Sequence, residues 1–222
     1  MLWENLTGKR LLIMPGHVNK LVWAKDGAHC YDLGAIRLTQ HGDLHYTTEA
    51  EINLDICMYL LRLLAQHSKA IVYLGHGTWK RKLVMADFIQ PDLVIEIHCN
   101  AFDDFTVRGY EAWTDADEDS VDAAAEILSS MGQGSTIPAH GKPNGHHWIN
   151  KEKNPRRKLF SAIKQRPLAL VECGFLTNPD DCALLVTPGY QQLVAMKIAC
   201  GIEAFFAPNS GSDVAGAGGN SE

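Results

Sequence analysis

The sequence lacks the features that would assign it to several specialised classes of protein. Its formal net charge is −6 over 222 residues, so it has no basic excess of the kind that binds nucleic acid. No apolar run is long enough for a membrane span, and no internal repeat occurs. The first residues do not combine a basic segment with a long apolar one, so we expect no signal peptide. We therefore expect a cytoplasmic protein that neither binds nucleic acid nor inserts into a membrane. We also expect it to be a monomer.

The sequence also lacks a cysteine pattern typical of a disulfide framework or a zinc finger. No two cysteines form a CxxC pair, and several lie within apolar segments. This indicates free, buried thiols in a reducing compartment. Two of them directly follow candidate site residues, so a cysteine nucleophile at Cys99 or Cys173 is an alternative to simple packing. The six cysteines are Cys30, Cys57, Cys99, Cys173, Cys182 and Cys200.

Positive charge is concentrated in two short clusters, Lys80-Arg81-Lys82 and Arg156-Arg157-Lys158. We expect both clusters to be solvated surface, because short runs of basic residues usually are. The alternative is that they contact an anionic polymer.

The alternation of apolar runs and helical patterns predicts the fold class. Strands are predicted at 10–14, 70–74, 93–98, 109–114 and 168–172. Helices are predicted from 48, at 80–89, at 119–131 with Asp119 or Ser120 as its cap, at 156–165, from 178 and at 188–206. Strands that alternate with helices indicate a single α/β domain, with a mostly parallel twisted sheet and helices on both faces.

Two long segments show no clear periodicity. Residues 18–47 are predicted as a long loop with a hairpin around 41–43, and residues 132–155 as a second loop. The second loop contains the pair His146-His147, which either positions a substrate or is solvated. The last residues are rich in Gly, Ser and Ala, so we expect a domain over 1–207 and a flexible tail over 208–222.

Polar residues occur where the predicted strands end. His17 follows the first strand, His98 ends the third, and Glu172 ends the fifth. Ligands bind beyond the carboxyl ends of the strands in open parallel sheets. His98 and Glu172 also interrupt apolar runs, where an unpaired polar group would be costly to bury. The alternative for Glu172 is a buried ion pair with an arginine such as Arg166.

Together with Glu49, in the first turn of the helix predicted from 48, these residues have the chemistry of a catalytic zinc site. Two imidazoles and a carboxylate form a complete ligand set that leaves one position open for water. Zinc lowers the pKa of such a water, and a second carboxylate can then move its proton. The candidate ligands are His17, Glu49 and His98, and the candidate base is Glu172.

Two neighbouring glutamates leave alternatives. Thr48 and Glu51 have the spacing of a capping box, which gives Glu51 a structural role and favours Glu49 as the ligand. Glu96 precedes His98 by two residues and shares its face of the strand. Glu96 therefore either orients the imidazole from behind or faces solvent near an edge of the sheet.

Five short motifs occur along the chain in this order: Pro15-Gly16-His17, Asp32-Leu33-Gly34-Ala35, Glu49-Ala50-Glu51-Ile52-Asn53-Leu54, Ile97-His98-Cys99-Asn100-Ala101, and Val171-Glu172-Cys173-Gly174-Phe175-Leu176-Thr177-Asn178. Taken together and in this order, they resemble the zinc-dependent N-acetylmuramoyl-L-alanine amidases of the amidase-3 family, over roughly residues 10–206. Three departures stand out: a longer segment between His17 and Glu49, Val18-Asn19 in place of Gly-Gly, and Glu96 in place of the usual Ser.

The resemblance implies hydrolysis of the amide between N-acetylmuramic acid and L-alanine in peptidoglycan. It implies one zinc ion per chain on His17, Glu49 and His98, with Glu172 as general base and then general acid. Asn100 is expected to contact the substrate or to support the ligands. The expected setting is a phage endolysin that stays in the host cytoplasm until it is released to the cell wall or periplasm.

Three alternatives remain at this point. A bacterial cytoplasmic amidase would act on recycled wall fragments. A non-catalytic peptidoglycan-binding protein would keep the fold without the reaction. A zinc carboxypeptidase would cut another bond of the same polymer.

Overall fold

The structure is a computed structural model that describes residues 2–23, 29–32, 34–41, 43–114, 117–141, 146–148 and 166–208. The strands are β1 (Arg10–Pro15), β2 (Val18–Trp23), β3 (His29–Asp32), β4 (Ile36–His41), β5 (Asp43–Thr48), β6 (Ile71–Leu74), β7 (Leu93–Asn100), β8 (Glu111–Thr114), β9 (His146–Trp148) and β10 (Leu168–Phe175). The helices are α1 (Glu49–His67), α2 (Trp79–Ile89), α3 (Glu118–Gly132), α4 (Pro179–Leu185) and α5 (Pro188–Phe205).

The main sheet is mostly parallel, as the sequence predicts. Its strand order is β6-β1-β7-β10-β8-β9. The strands β6, β1, β7 and β10 run parallel, whereas β8 is antiparallel to β10. The central strands are covered on both faces, which explains why they read as continuous apolar runs.

Helices cover both faces of the sheet, which also confirms the prediction. On one face α1, α3 and α5 pack over the larger apolar cluster, which includes Ile13, Ile95 and Val171. On the other face α2 packs over a smaller cluster that includes Met14 and Val94. Alternate residues of each strand therefore face different layers, and the second face carries the smaller apolar cluster.

Helix α1 begins at the predicted capping box. The Thr48 hydroxyl accepts a hydrogen bond from the Glu51 amide at 3.3 Å, and the Glu51 carboxylate accepts one from the Thr48 amide at 3.2 Å. The predicted cap of α3 is wrong. Asp117 caps that helix, since its carboxylate accepts from the Ser120 amide at 3.1 Å, and the helix therefore begins earlier than expected.

The prediction of a long loop over 18–47 is wrong. This segment contains two antiparallel hairpins, β2–β3 and β4–β5, and the second confirms the turn expected around 41–43. Both form two-stranded sheets separate from the main one, so their strands do not need the continuous apolar runs by which strands were predicted. Within the predicted loop 132–155, β9 adds a short strand beside β8.

Some predictions fall outside the described residues. These are the helix at 156–165, the tail beyond residue 208, and the side chains of His146 and His147. Of the cysteines whose side chains are described, all are free, and the four buried ones are Cys57, Cys99, Cys173 and Cys182. None of the described helices is long and apolar enough to cross a membrane.

Candidate active site

Three acidic or imidazole side chains lie at the same level on adjacent strands of the sheet. Glu172 of β10 is in register with His98 of β7 on one side and with Glu111 of β8 on the other. Residues that face each other across neighbouring strands point to the same side of the sheet. That side is the α2 face. Val94 and Leu170 pack there, and each lies an even number of residues before His98 or Glu172 on the same strand, so it shares that residue's face. We call His98, Glu172 and Glu111 the polar row.

Glu49 joins this row from the first turn of α1. Its Oε1 lies 2.9 Å from Nδ1 of His98, and its Oε2 lies 3.4 Å from Nε2 of His17. Only 6% of the Glu49 side chain is exposed, whereas His17 is 32% exposed. The carboxylate is thus fixed between two imidazoles, and the site opens to solvent on the side of His17.

The motif around Gly34 closes over the Glu49 carboxylate. The Ala35 amide donates to Oε2 at 2.9 Å, and a Cβ on Gly34 would overlap that same oxygen. Asn53, one helical turn after Glu49, donates through Nδ2 to Glu49 Oε1 at 3.4 Å and to the Gly16 carbonyl at 3.3 Å. These contacts hold the carboxylate in one orientation.

His17 is placed by an unusual backbone conformation. Its φ is 54°, in the left-handed region that costs a non-glycine residue roughly 1–3 kcal/mol. The preceding Gly16 donates to the Ile97 carbonyl at 2.6 Å, and a Cβ on Gly16 would overlap the His98 ring. The two imidazoles consequently pack edge to face, with ring centroids 5.2 Å apart.

The three side chains fit a metal ion. His17, Glu49 and His98 each offer one donor atom, and these atoms all lie within 4.8 Å of one another. Two imidazole nitrogens and one carboxylate oxygen are a ligand set that suits zinc. Glu51 does not belong to this group, because the capping box occupies its carboxylate.

The electrostatics of the group favour a cation between the carboxylates. Burial alone would lower the pKa of His98, but hydrogen bonding to Glu49 and the carboxylate of Glu96 raise that pKa to about 10. Burial opposes ionisation of Glu49, yet its hydrogen bond with His98 and the charges of His98 and His17 leave its pKa lowered. A metal ion would replace the proton on His98, because metal ligands must be deprotonated.

Glu96 faces the interior rather than solvent, so the solvent alternative is wrong. It lies on a central strand and is 5% exposed. Its Oε1 is 3.7 Å from Nε2 of His98 and 2.8 Å from Nζ of Lys82. Burial would raise the pKa of Glu96, but His98 and Lys82 lower it to about 2. The carboxylate is therefore an anion behind the imidazole.

Lys82 also corrects the prediction for the cluster Lys80-Arg81-Lys82. Lys80 and Arg81 are exposed, but Lys82 is only 3% exposed. A helical spacing of four and then three residues places Lys82 on one face with Ala86 and Ile89, both of which contact the smaller apolar cluster. That spacing was the signal in the sequence that identifies Lys82 as a buried residue.

Glu172 is almost completely buried, at 1% exposure. Its charge contributes to the raised pKa of His98, so the carboxylate belongs electrostatically to the same site. It is the acidic member of the polar row next to His98, and it is not one of the three residues in the candidate metal group. The arrangement thus separates one carboxylate from the possible ligands.

Sequence reasoning missed Glu111, which is 2% exposed. Its Oε1 accepts from Nδ2 of Asn100 at 2.6 Å and from the indole of Trp113 at 2.8 Å. Its Oε2 lies 3.9 Å from Nε2 of His140. The signal was available, because Glu111 interrupts an apolar strand just as Glu172 does. Asn100, the predicted substrate contact, is therefore held by Glu111.

The cysteines beside the site are packing residues. Cys99 and Cys173 are 1% and 0% exposed, and both belong to the larger apolar cluster on the opposite face of the sheet. Burial raises the pKa of each thiol, which keeps it protonated and a poor nucleophile.

Solved structures share this fold at low sequence identity. The catalytic domain of CwlV, an amidase from Bacillus (Paenibacillus) polymyxa, is 22% identical, with a TM-score of 0.69 over 89% of this chain and 97% of that one. AmiC2 of Nostoc punctiforme is 24% identical, with a TM-score of 0.68 over 88% and 96%. An amidase from Clostridium difficile 630 is 21% identical, with a TM-score of 0.71 over 90% and 97%.

None of the curated proteins matches the chain by sequence. The family model described as Amidase_3, N-acetylmuramoyl-L-alanine amidase, matches residues 11–204. This range includes every residue of the polar row and of the candidate metal group. The chain therefore belongs to the Amidase_3 family of N-acetylmuramoyl-L-alanine amidases and is an enzyme that hydrolyses an amide bond of peptidoglycan.

Proposed function

We propose that the enzyme uses zinc to hydrolyse the amide between the lactyl group of N-acetylmuramic acid and L-alanine. One observation carries the proposal: three donor atoms lie within 4.8 Å of one another, and Glu172 is on the strand beside His98. Metal-assisted amide hydrolysis requires both a metal site and a separate group that moves protons. The family supplies the identity of the bond.

Each residue has a distinct role in this proposal. His17, Glu49 and His98 hold the metal, which when bound polarises the scissile carbonyl and lowers the pKa of a water molecule. Glu172 takes a proton from the attacking water and then donates it to the leaving nitrogen of L-alanine. The burial of Glu172 limits exchange of that proton with bulk solvent.

Asn100 is proposed to contact the substrate beside Glu172. It lies two residues after His98 on the same strand, so both side chains are on one side of the sheet. Its Nδ2 donates to Glu111, and its Oδ1 accepts from the Ala101 amide at 2.9 Å. These contacts fix the Asn100 side chain in one orientation.

The test is product analysis on purified peptidoglycan. The zinc-loaded enzyme should release stem peptides with new L-alanine amino termini, and removal of zinc by a chelator should stop the release. Release of reducing sugar without new amino groups would indicate a glycosidase. Release of free D-alanine would indicate a carboxypeptidase, and binding to the wall without any product would indicate a binding protein.

We further propose that the biological role is lysis of a host cell by a phage enzyme that waits in the host cytoplasm. This role goes beyond the family, whose description names only the amidase reaction. Expression in bacteria with and without a phage pore protein tests it. Lysis that needs both proteins would support the role, whereas growth unaffected by the pair would contradict it.

A further inference from the structure

A lysine is buried directly behind the candidate metal group. The Lys82 side chain is 4% exposed, although it lies on a helix whose neighbouring basic residues are exposed. Removing an ammonium group from water is costly unless it is paired and hydrogen-bonded. A buried lysine at this position therefore needs a compensating structure.

The compensation comes from two different strands. The Lys82 ammonium forms an ion pair with Glu96 Oε1 at 2.8 Å, on β7. The same ammonium donates a hydrogen bond to the carbonyl of Pro15, at the end of β1. The Lys82 ammonium of α2 thus contacts both β7, which carries His98, and the end of β1, which His17 follows.

The group on the other side of each contact lies next to one of those two imidazoles, His17 or His98. The Pro15 carbonyl precedes Gly16 and then His17, and the backbone of His17 has the left-handed conformation. Glu96 faces Nε2 of His98 at 3.7 Å, while the opposite ring nitrogen faces Glu49. A carboxylate behind a histidine ligand fixes the orientation of the ring and raises its basicity.

We propose that Lys82 is a positioning residue that sets the two imidazoles for zinc, acting through Glu96 on His98 and through the Pro15 carbonyl on His17. The inference rests on the proposed function, because it requires that His17 and His98 bind zinc. It also gives a role to Glu96, at a position where the family usually has Ser.

A purely structural ion pair would have different consequences. In that case Lys82 would matter only because its loss leaves the Glu96 carboxylate buried without its cation. Removal of both charges would then restore both the wild-type stability and the wild-type zinc affinity. If Lys82 positions the imidazoles, removal of both charges restores stability but leaves zinc binding weakened.

The experiment compares zinc affinity with the thermal stability of the zinc-free protein. Four proteins are measured: the wild type, Lys82→Met, the double variant Lys82→Met/Glu96→Gln, and Lys80→Met as a matched control on the exposed side of α2. Zinc affinity is obtained by competition with a coloured chelator. We expect both variants at position 82 to bind zinc about 10–100-fold more weakly than the wild type.

The two readouts separate the explanations. Lys82→Met should also lower the melting temperature, and the double variant should recover most of that loss. Lys80→Met should change neither the melting temperature nor the zinc affinity. Wild-type zinc affinity in the double variant would overturn the inference and leave the proposed function intact. A wild-type protein that binds no zinc would overturn the proposed function itself.

Discussion

The two halves of the site are stabilised by different kinds of contact. The metal half consists of His17, Glu49 and His98, and the base half consists of Glu172 and Glu111. Charged partners surround the metal half, where the His98 imidazole lies between Glu49 and Glu96 and the His17 imidazole contacts Glu49. In the base half, neutral groups of Asn100 and Trp113 bind the Glu111 carboxylate.

This difference indicates a division of labour. The metal half holds carboxylates close to the imidazoles, an arrangement that favours a cation. The base half places two acidic side chains in register on neighbouring strands, and neither belongs to the candidate metal group. Changes in the metal half should therefore affect metal content first, whereas changes in the base half should affect turnover or stability with metal retained.

The largest effect is expected from His98→Ala. This change removes one of three ligands, so zinc content after dialysis should fall from one ion per chain to near zero, and hydrolysis should fall to the level of the zinc-free enzyme. Elemental analysis and peptide release on the same preparation provide the measurement. Retention of a full equivalent of zinc would remove His98 from the metal half.

Glu172→Ala should impair the base half alone, with a loss of turnover but not of zinc. We expect turnover to fall by about 10²–10⁴-fold because no group would move the proton, while zinc content stays at the wild-type value. Glu172→Gln is the matched control for shape, and it should be as slow as the alanine variant. Near-normal turnover in either variant would show that Glu172 is not the base.

Glu111→Ala should have a smaller effect, mainly on stability. It leaves the Asn100 amide and the Trp113 indole without their acceptor, so the free energy of unfolding should fall by about 1–3 kcal/mol. Glu111→Gln keeps one acceptor oxygen and should lose less. Denaturant unfolding measures both, and a loss of zinc from either variant would contradict the separation of the halves.

Thr48→Ala should have the smallest effect. It removes the capping hydroxyl of α1, the helix that carries Glu49, and should cost about 1 kcal/mol of stability. Zinc content should be unchanged, because the Ala35 amide and Asn53 hold the Glu49 carboxylate independently of the cap. Loss of zinc would show that the metal half depends on the cap.

The fold and the metal half could largely be predicted from the sequence, because their signals are local. Continuous apolar runs mark the buried parallel strands, and the capping box separates Glu51 from Glu49. The hairpins within 18–47 could not be predicted in this way. Their strands lie outside the main sheet and carry no long apolar run.

The supporting residues were harder to predict because their roles depend on pairing between distant elements. Lys82 was grouped with exposed neighbours, yet it packs against β1 and β7. Glu111 acquires its position only through the register of β8 with β10. A charged residue on an otherwise apolar stripe was the available signal in both cases.

A zinc-bound crystal structure with anomalous diffraction at the zinc edge tests the central claim most directly. The account predicts one ion bound by His17, Glu49 and His98, with Glu172 close by but not ligated. A zinc ion ligated by Glu51, or by His29, His41 or His45, would contradict it.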